Sequence, residues 1–278
     1  MKGDRVSAGI KERKTLGNNL NIRIAKPGDA ETIVAVMRDG FNEKYLAVLI
    51  YGCVGIEKYT RRLIHMPKGT SDTAYVVAEV GGKIVGCMEF RFVGNSVVLN
   101  YISVASGYRS SGLGSKLLKE ALRITSAADA DRMLLDVFEY NNVARRWYVR
   151  LGFEAERRNC WWMMDVPVVN GCAPGVVSGY PQGEACQEAY GFSQFMVHTA
   201  TSTHTVGRIG DRWFRVRSGE ALMDKMLHGT LREMDNNRRY LAILEEGELA
   251  AELASGVEIY TRSTRLSIDM KKLLEELG

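Results

Sequence analysis

The fifteen residues from Val104 to Leu118, Val-Ala-Ser-Gly-Tyr-Arg-Ser-Ser-Gly-Leu-Gly-Ser-Lys-Leu-Leu, constrain this chain more than any other segment. An extended run enters a glycine-punctuated loop, and the loop opens a helix with Leu113, Leu117, Leu118, Ala121 and Leu122 on one face. Gly112 and Gly114 let a ligand approach the backbone closely and let N–H groups turn inward. The first turn of the helix adds unpaired donors and the positive end of a dipole. Together these make a cradle for a diphosphate. Two other phosphate loops are excluded. Leu113 stands where a P-loop needs lysine, and Leu117 replaces the third glycine of a dinucleotide fingerprint. Alone, the same glycines could simply end a strand and start a helix.

The rest of the chain supplies the context. Its 278 residues suffice for two domains, and 46% hydrophobic with 25% charged residues is a soluble globular balance. The longest nearly apolar run, Tyr45 to Ile56, is too short for a membrane span and reads as a buried helix or strand. No signal peptide is apparent, five scattered cysteines form no CxxC pair, and no metal is expected. The expected location is cytoplasmic, with free thiols and no membrane contact. Net charge is +7 over residues 1–167 and −3 over 168–278. No Lys/Arg stripe interleaves with aromatics, so nucleic acid is not an expected partner.

Punctuation and periodicity divide the chain into four parts. Residues 1–20 read as a basic, flexible arm. Residues 21–167 read as strand Asn21–Ala25, helical segments over 30–65, strands Ala74–Val80 and Lys83–Phe92 around Gly81-Gly82, and strand Val97–Val104. Helix Leu113–Ile124, strand Met133–Phe138, helix Val143–Arg150 and strand Trp161–Val166 complete that part. Residues 168–190, rich in Gly and Pro, read as a linker. Residues 191–278 read as an α+β unit: strands Phe192–Thr199 and Thr205–Val216, helix Glu220–Met234, strands Tyr240–Leu244 and Val257–Thr261, and a final helical turn or two.

A second segment, Asn141-Asn-Val-Ala144-Arg-Arg-Trp-Tyr148-Val-Arg-Leu-Gly152-Phe153, follows a strand and ends in a helix stop. Arg-x-x-Gly-x-Gly at a helix head, with Asn-x-x-Ala-x-x-x-Tyr-x-x-x-Gly-Phe downstream, resembles the GNAT superfamily of acetyltransferases. The resemblance covers roughly residues 21–167. It implies a mixed α/β fold, a mainly antiparallel sheet flanked by helices, followed by a second small α+β C-terminal unit.

The resemblance further implies acetyl-CoA as cofactor and acetyl transfer to a primary amine, on a small molecule or a protein, by direct attack on the thioester. Arg109, Ser110, Ser111, Gly112, Leu113, Gly114 and Ser115 match the loop that holds the diphosphate of coenzyme A. Ile102, Ser103 and Val104 match the strand end whose amides bond the pantetheine arm and the acetyl carbonyl. Asn141 matches a pantetheine contact. Tyr148 matches the general acid that protonates the departing thiolate.

The chain departs from the family pattern at one position. Many members carry a glutamate base eleven residues before the loop's first residue, and here that residue is Val98. Strand alternation puts Val98, Asn100, Ile102 and Val104 on one face, so Asn100 could orient a water or the substrate. Glu89 is the nearest acidic base candidate, its other reading being an exposed carboxylate paired with Arg91. Tyr45, Tyr51, Tyr59, His65, Trp161 and Trp162 occupy the regions that shape the acceptor pocket in the family, although core packing uses the same residue types. His198 and His204 read as surface or turn residues.

Gly207-Arg-Ile-Gly210-Asp-Arg-Trp213 lacks the cofactor motif, so the C-terminal unit carries no second loop of that kind. That unit could cover the active site, mediate a homodimer or hold a regulatory ligand. A different class of function is an acyl-CoA-binding sensor, in which a degenerate transferase domain controls the C-terminal unit.

Overall fold

The computed structural model describes residues 19–67, 69–250, 253 and 257–278. Most of the arm expected over 1–20 lies outside these residues, and the chain is already extended at Leu20. The first half runs β1 (Leu20–Ile24), α1 (Ala30–Asp39), α2 (Glu43–Leu46), α3 (Ile56–His65), β2 (Thr73–Val80), β3 (Lys83–Val93) and β4 (Ser96–Val104). It continues through α4 (Leu113–Ile124), β5 (Arg132–Phe138), α5 (Asn142–Arg150) and β6 (Glu154–Asp165). The second half runs β7 (Val176–Ser178), α6 (Tyr180–Tyr190), β8 (Phe192–His198), β9 (Thr203–Ile209), β10 (Trp213–Val216), α7 (Lys225–Met234), β11 (Arg239–Glu245), β12 (Glu258–Asp269) and α8 (Met270–Leu277).

Local chemistry fixes several of these boundaries. Gly81 and Gly82, at φ 57° and 77°, close the β2–β3 hairpin in a conformation that costs other residues free energy. Asn141 and Asp269 start α5 and α8 by accepting backbone N–H groups of the first turn. The single strand expected over Thr205–Val216 is two, because Gly210 at φ 56° turns the chain between β9 and β10.

All twelve strands of the described residues form one sheet, in the order β1-β2-β3-β4-β5-β12-β6-β11-β10-β9-β8-β7. Raising each number in the first half by six, and lowering each in the second by six, returns the same order read backwards. The second half therefore repeats the topology of the first about a pseudo-twofold axis between β12 and β6. The two parallel pairs obey this relation too: β4 beside β5, and β10 beside β11. Each half lends its last strand to the other, so β12 lies between β5 and β6, while β6 lies between β12 and β11.

This corrects the expectation of a transferase domain with a small appended unit. The missing signal was one of topology, since the repeat shares an arrangement of elements without sharing the glycine loop. Residues 168–190, read as a linker, carry β7 and α6. Glycine and proline there start the helix rather than interrupt it: Gly179 at φ 70° precedes Tyr180-Pro181, and Pro is favoured in a first helical turn.

Three apolar layers lie on the sheet, and a fourth joins the halves. The first half's main core packs α4 and α5 onto β2–β5 around Met88, Phe90, Leu117, Leu118 and Leu122. A second packs α7 on the second half's strands, and a third seats α1 and α3 on β2 and β3. The joining cluster places Val48, Leu49, Cys53 and Trp161 of the first half against Ile209, Trp213 and Leu241 of the second. Polar contacts reinforce it. The indole of Trp213 donates to the Ala47 carbonyl at 3.1 Å, and the Gly55 amide donates to the Tyr190 carbonyl at 3.2 Å. Gly55 has no substitute here, because a Cβ would sit 2.3 Å from the Ala189 carbonyl oxygen.

Candidate active site

The two parallel strands of the first half separate after a short contact. Ser96, Val97 and Val98 of β4 pair with Arg132, Met133 and Leu134 of β5, and the ladder stops there. From Leu99 to Val104, β4 keeps its partner β3 but has none on the β5 side. The divergence leaves backbone amides and carbonyls facing a gap, at the end of the sheet where the glycine loop begins.

A bulge sets the faces of β4. Glu89 pairs with Tyr101 and Phe90 with Leu99, so Asn100 is the extra residue. The extra residue reverses the alternation, and Ile102 and Val104 therefore join the main core beneath α4 together with Val97 and Leu99. The expectation that Val98, Asn100, Ile102 and Val104 share a face fails for this reason. The Ser103 hydroxyl is also committed, donating to the Val36 carbonyl of α1 at 2.7 Å. What Ile102 and Val104 offer the gap is backbone, while the backbone of Ser103 is turned to Cys87 of β3.

The loop after β4 is held open by its own side chains. Arg109 donates to the Val104 carbonyl at 2.8 Å, and to the Asp39 carbonyl and carboxylate at 2.7 Å each, lashing the loop to the ends of β4 and α1. The Ser111 hydroxyl donates to the Tyr108 carbonyl at 2.6 Å. Ser110 and Gly112 take left-handed backbone at φ 60° and 80°. Leu113 is buried as the first anchor of α4. No side chain caps α4 and its first turn holds no acid, so the N–H groups of Leu113, Gly114 and Ser115 begin the helix without side-chain partners. A Cβ built on Gly112 would meet nothing within 4 Å, so the cradle faces open space. An anionic diphosphate fits such an end.

Trp147, which the sequence reading passed over, ties the loop helix to α5. Its indole donates to the Ser115 hydroxyl at 3.0 Å, and its ring lies 3.8 Å from where a Cβ on Gly114 would stand. The next residue, Tyr148, is buried against Phe153 with ring centroids 5.6 Å apart. Burial raises its hydroxyl's pKa far above the ordinary tyrosine value, so it remains a proton donor across the neutral range. Among the described residues that hydroxyl has no hydrogen-bond partner. Asn141 spends its side-chain oxygen on the Ala144 amide at 3.1 Å, as the cap of α5.

Glu89 is fully buried, which corrects the reading of it as an exposed strand carboxylate. It accepts from the Tyr51 hydroxyl at 2.9 Å and the Asn100 amide at 2.5 Å, with Arg91 Nε 3.4 Å away. Burial raises the pKa of Tyr51 and of Tyr101, and the Glu89 charge adds to both effects. Glu89 and Asn100, distant by strand, are thus one hydrogen-bonded pair below the bulge.

Above that pair opens a cavity of about 450 Å³ between the halves, lined by Tyr59, Arg91, Asn100 and Tyr101 from the first and by Tyr190, Gln194, Arg215 and Arg217 from the second, among others. Of the aromatic residues proposed for an acceptor pocket, Tyr59 lines it. Tyr51 lies beneath, on Glu89. Tyr45 stacks on Tyr140 at 3.9 Å, His65 is exposed at the end of α3, and Trp162 packs on the second half's core. Trp161 donates to the Ser263 hydroxyl at 2.9 Å beside a smaller cavity of about 130 Å³. Arg215 and Arg217 were missed. The available signal was the pair of arginines on either side of Val216, one inside the apolar β10 and one just past its end.

The second half's equivalent of α4 is α7, and its N-terminus is closed. Asp224 accepts from the Met226 and Leu227 amides at 2.9 and 3.2 Å, and from Thr199 and His204 at 2.7 and 2.9 Å. Where the first half has an open glycine, the second has a carboxylate that would repel a diphosphate. His204, expected at the surface, is buried because it serves this cap.

The acetyltransferase (GNAT) family model matches residues 44–153. The 5-NmdU N-acetyltransferase of Pseudomonas phage PaMx11 is 34% identical over 103 residues, covering 34% of this chain and 71% of the phage protein. Two solved structures match nearly the whole chain in fold. A tandem GNAT protein from the clavulanic acid biosynthesis pathway, at 17% identity and TM-score 0.63, covers 90% of this chain and 98% of its own. A protein structure from Pyrococcus horikoshii, at 16% identity and TM-score 0.62, covers 93% of this chain and 92% of its own. The tandem likeness agrees with the paired halves of the sheet. With the divergent β4 and β5 and the open helix end between them, these matches make the chain a member of the GNAT family of N-acetyltransferases, whose cofactor is acetyl-CoA.

Proposed function

We propose that this chain acetylates a primary amine by direct attack on the thioester of acetyl-CoA, at a single site in its first half. The observation that carries the reading is the open, uncapped N-terminus of α4 at the mouth of the β4–β5 gap. The amides from Gly112 to Ser115 would hold the diphosphate, with Arg109 and Ser111 keeping the loop in shape and Ser110 completing its left-handed turn. The gap-facing amides of Ile102 and Val104 would bond the pantetheine arm, with Ser103 between them holding β4 to its neighbours, and Asn141 would meet the arm from the cap of α5. The cofactor supplies an activated acetyl group.

The protein's own residues supply the rest. Backbone N–H groups on the unpaired edge of β4 are fixed dipoles at the place where negative charge would develop on the carbonyl oxygen. Tyr148, kept protonated by burial, would return a proton to the leaving sulfur. Asn100, oriented by Glu89, would hold the amine and a water beside it, and Glu89 would take the amine's proton through that water. The name of the phage relative, an N-acetyltransferase of 5-NmdU, supports an amine acceptor.

Substituting Tyr148→Phe tests the assignment, because it removes one hydroxyl and leaves the ring that packs on Phe153. The expected result is a fall in kcat of roughly 10²-fold or more, with acetyl-CoA affinity kept. Wild-type turnover in the variant on every accepted amine would remove Tyr148 from the mechanism.

A further inference from the structure

Arg215, half-buried, and Arg217, exposed next to it, differ from the buried arginines Arg208 and Arg238. Arg208 is held by Glu184, Ser193 and the Gly183 carbonyl, and Arg238 by Asp235 and the Gly210 carbonyl. Among the described residues, the guanidinium groups of Arg215 and Arg217 have neither a hydrogen bond nor an ion pair. Arg215 lies across β9 opposite Gly207, where a Cβ would come within 3.1 Å of its Nε. Burial, together with the neighbouring Arg217 charge, lowers its pKa to about 10. Arg217 follows it in sequence, and Asp136, the carboxylate whose charge acts on it, already accepts from Arg265. Arg91, the third arginine of the cavity, has Glu89 beneath it.

The cavity lining thus holds three arginines and no aspartate or glutamate. A half-buried guanidinium without a counter-charge is costly, and the cost is recovered when an anion with the right geometry enters. The same field opposes an incoming ammonium. It lowers the pKa of a bound amine and favours the neutral form that can attack a thioester.

We infer that this cavity takes a small primary amine that also carries an anionic group, a carboxylate or a phosphate, which Arg215 and Arg217 hold while the amine faces Asn100 on β4. The inference rests on the acetyl-transfer reading and names the acceptor class for that site. The cavity suits a small molecule. Its charge disfavours polyamines and lysine-rich peptides.

The test compares n-propylamine, β-alanine, O-phosphoethanolamine and 1,3-diaminopropane as acceptors for acetyl-CoA, with wild type and with Arg215→Gln and Arg217→Gln. An anionic acceptor should be preferred over n-propylamine in kcat/KM by roughly 30-fold or more, with 1,3-diaminopropane the poorest. The two variants should shrink that preference through a raised KM while leaving the acetyl-CoA Kd unchanged. Whether β-alanine or O-phosphoethanolamine benefits identifies the anion as carboxylate or phosphate. No preference for either, or a preference unchanged in both variants, would overturn the inference.

Calorimetric titration with the same two anionic amines separates this inference from the chemistry it rests on. Binding to wild type that both variants lose, without turnover of any acceptor, would sustain the anion site and sink acetyl transfer. Absence of binding, with n-propylamine acetylated, would do the reverse.

Discussion

Asp224 shows how one residue can close a site that the fold would otherwise offer. Burial acts to raise its pKa, but hydrogen bonds from Thr199, His204 and the α7 amides outweigh that, and the net effect is a lowered value. A folded pKa below the ordinary aspartate value of 3.8 contributes stability above that pH, and the contribution is lost as pH falls through the folded value. Asp224→Ala removes the cap and leaves His204 without its partner, so a loss of roughly 2 kcal/mol is expected in urea unfolding at pH 7. The difference between variant and wild type should narrow on acidification below about pH 4. A difference that is constant from pH 7 to pH 3 would mean that the carboxylate charge is not what stabilises the cap.

Single residues also decide how far the sequence could be read. The glycine loop and Tyr148 were legible because each belongs to a local pattern with a fixed spacing. The Glu89–Asn100 pair was half legible: both residues were candidates, but the bulge that joins them depends on a register between strands that spacing along one strand does not encode. Arg215 and Arg217 belong to the other half of the chain, and only the fold brings them to β4.

At the scale of elements, β12 was the hardest to recognise. The expected strand stopped at Thr261, since the Arg262-Ser-Thr-Arg-Leu-Ser that follows looks like a surface. In the fold this segment lies between β5 and β6, where Ser263 and Thr264 are buried and Trp161 donates to Ser263. Polar residues fit there because both edges are paired and one hydroxyl receives an indole. The short β7, three residues long, gave too little pattern for a strand.

The exchange of β12 and β6 carries its own prediction. Ending the chain before Glu258 removes the strand that covers the edge of β5, and with it α8. The truncated chain should then fail to fold, giving aggregated protein without a cooperative thermal transition. A soluble, cooperatively melting fragment of residues 19–257 would show that the strand exchange is dispensable.

At the scale of the whole molecule, a sheet with a topological twofold has lost its chemical twofold. Both halves diverge from the same plan, yet one helix end is open and the other is plugged, and the second half contributes arginines to the first half's cavity instead of a second cradle. Among the described residues no helix is long and apolar enough to cross a membrane, and the joining core of Trp161, Trp213 and Leu241 makes the two halves one body. Truncating Leu241, buried at that seam, should cost roughly 3 kcal/mol and lower a single melting transition rather than split it in two. Two separate transitions in scanning calorimetry would contradict that coupling.

The central claim is one acetyl-CoA site per chain, at the open end of α4. Isothermal titration of the wild-type protein with acetyl-CoA, beside Gly112→Glu with its fold checked by circular dichroism, tests it most directly. The account predicts a stoichiometry of one per chain, and loss of that binding when a carboxylate is placed in the cradle. Two equivalents bound per chain, or binding that Gly112→Glu leaves intact, would contradict it.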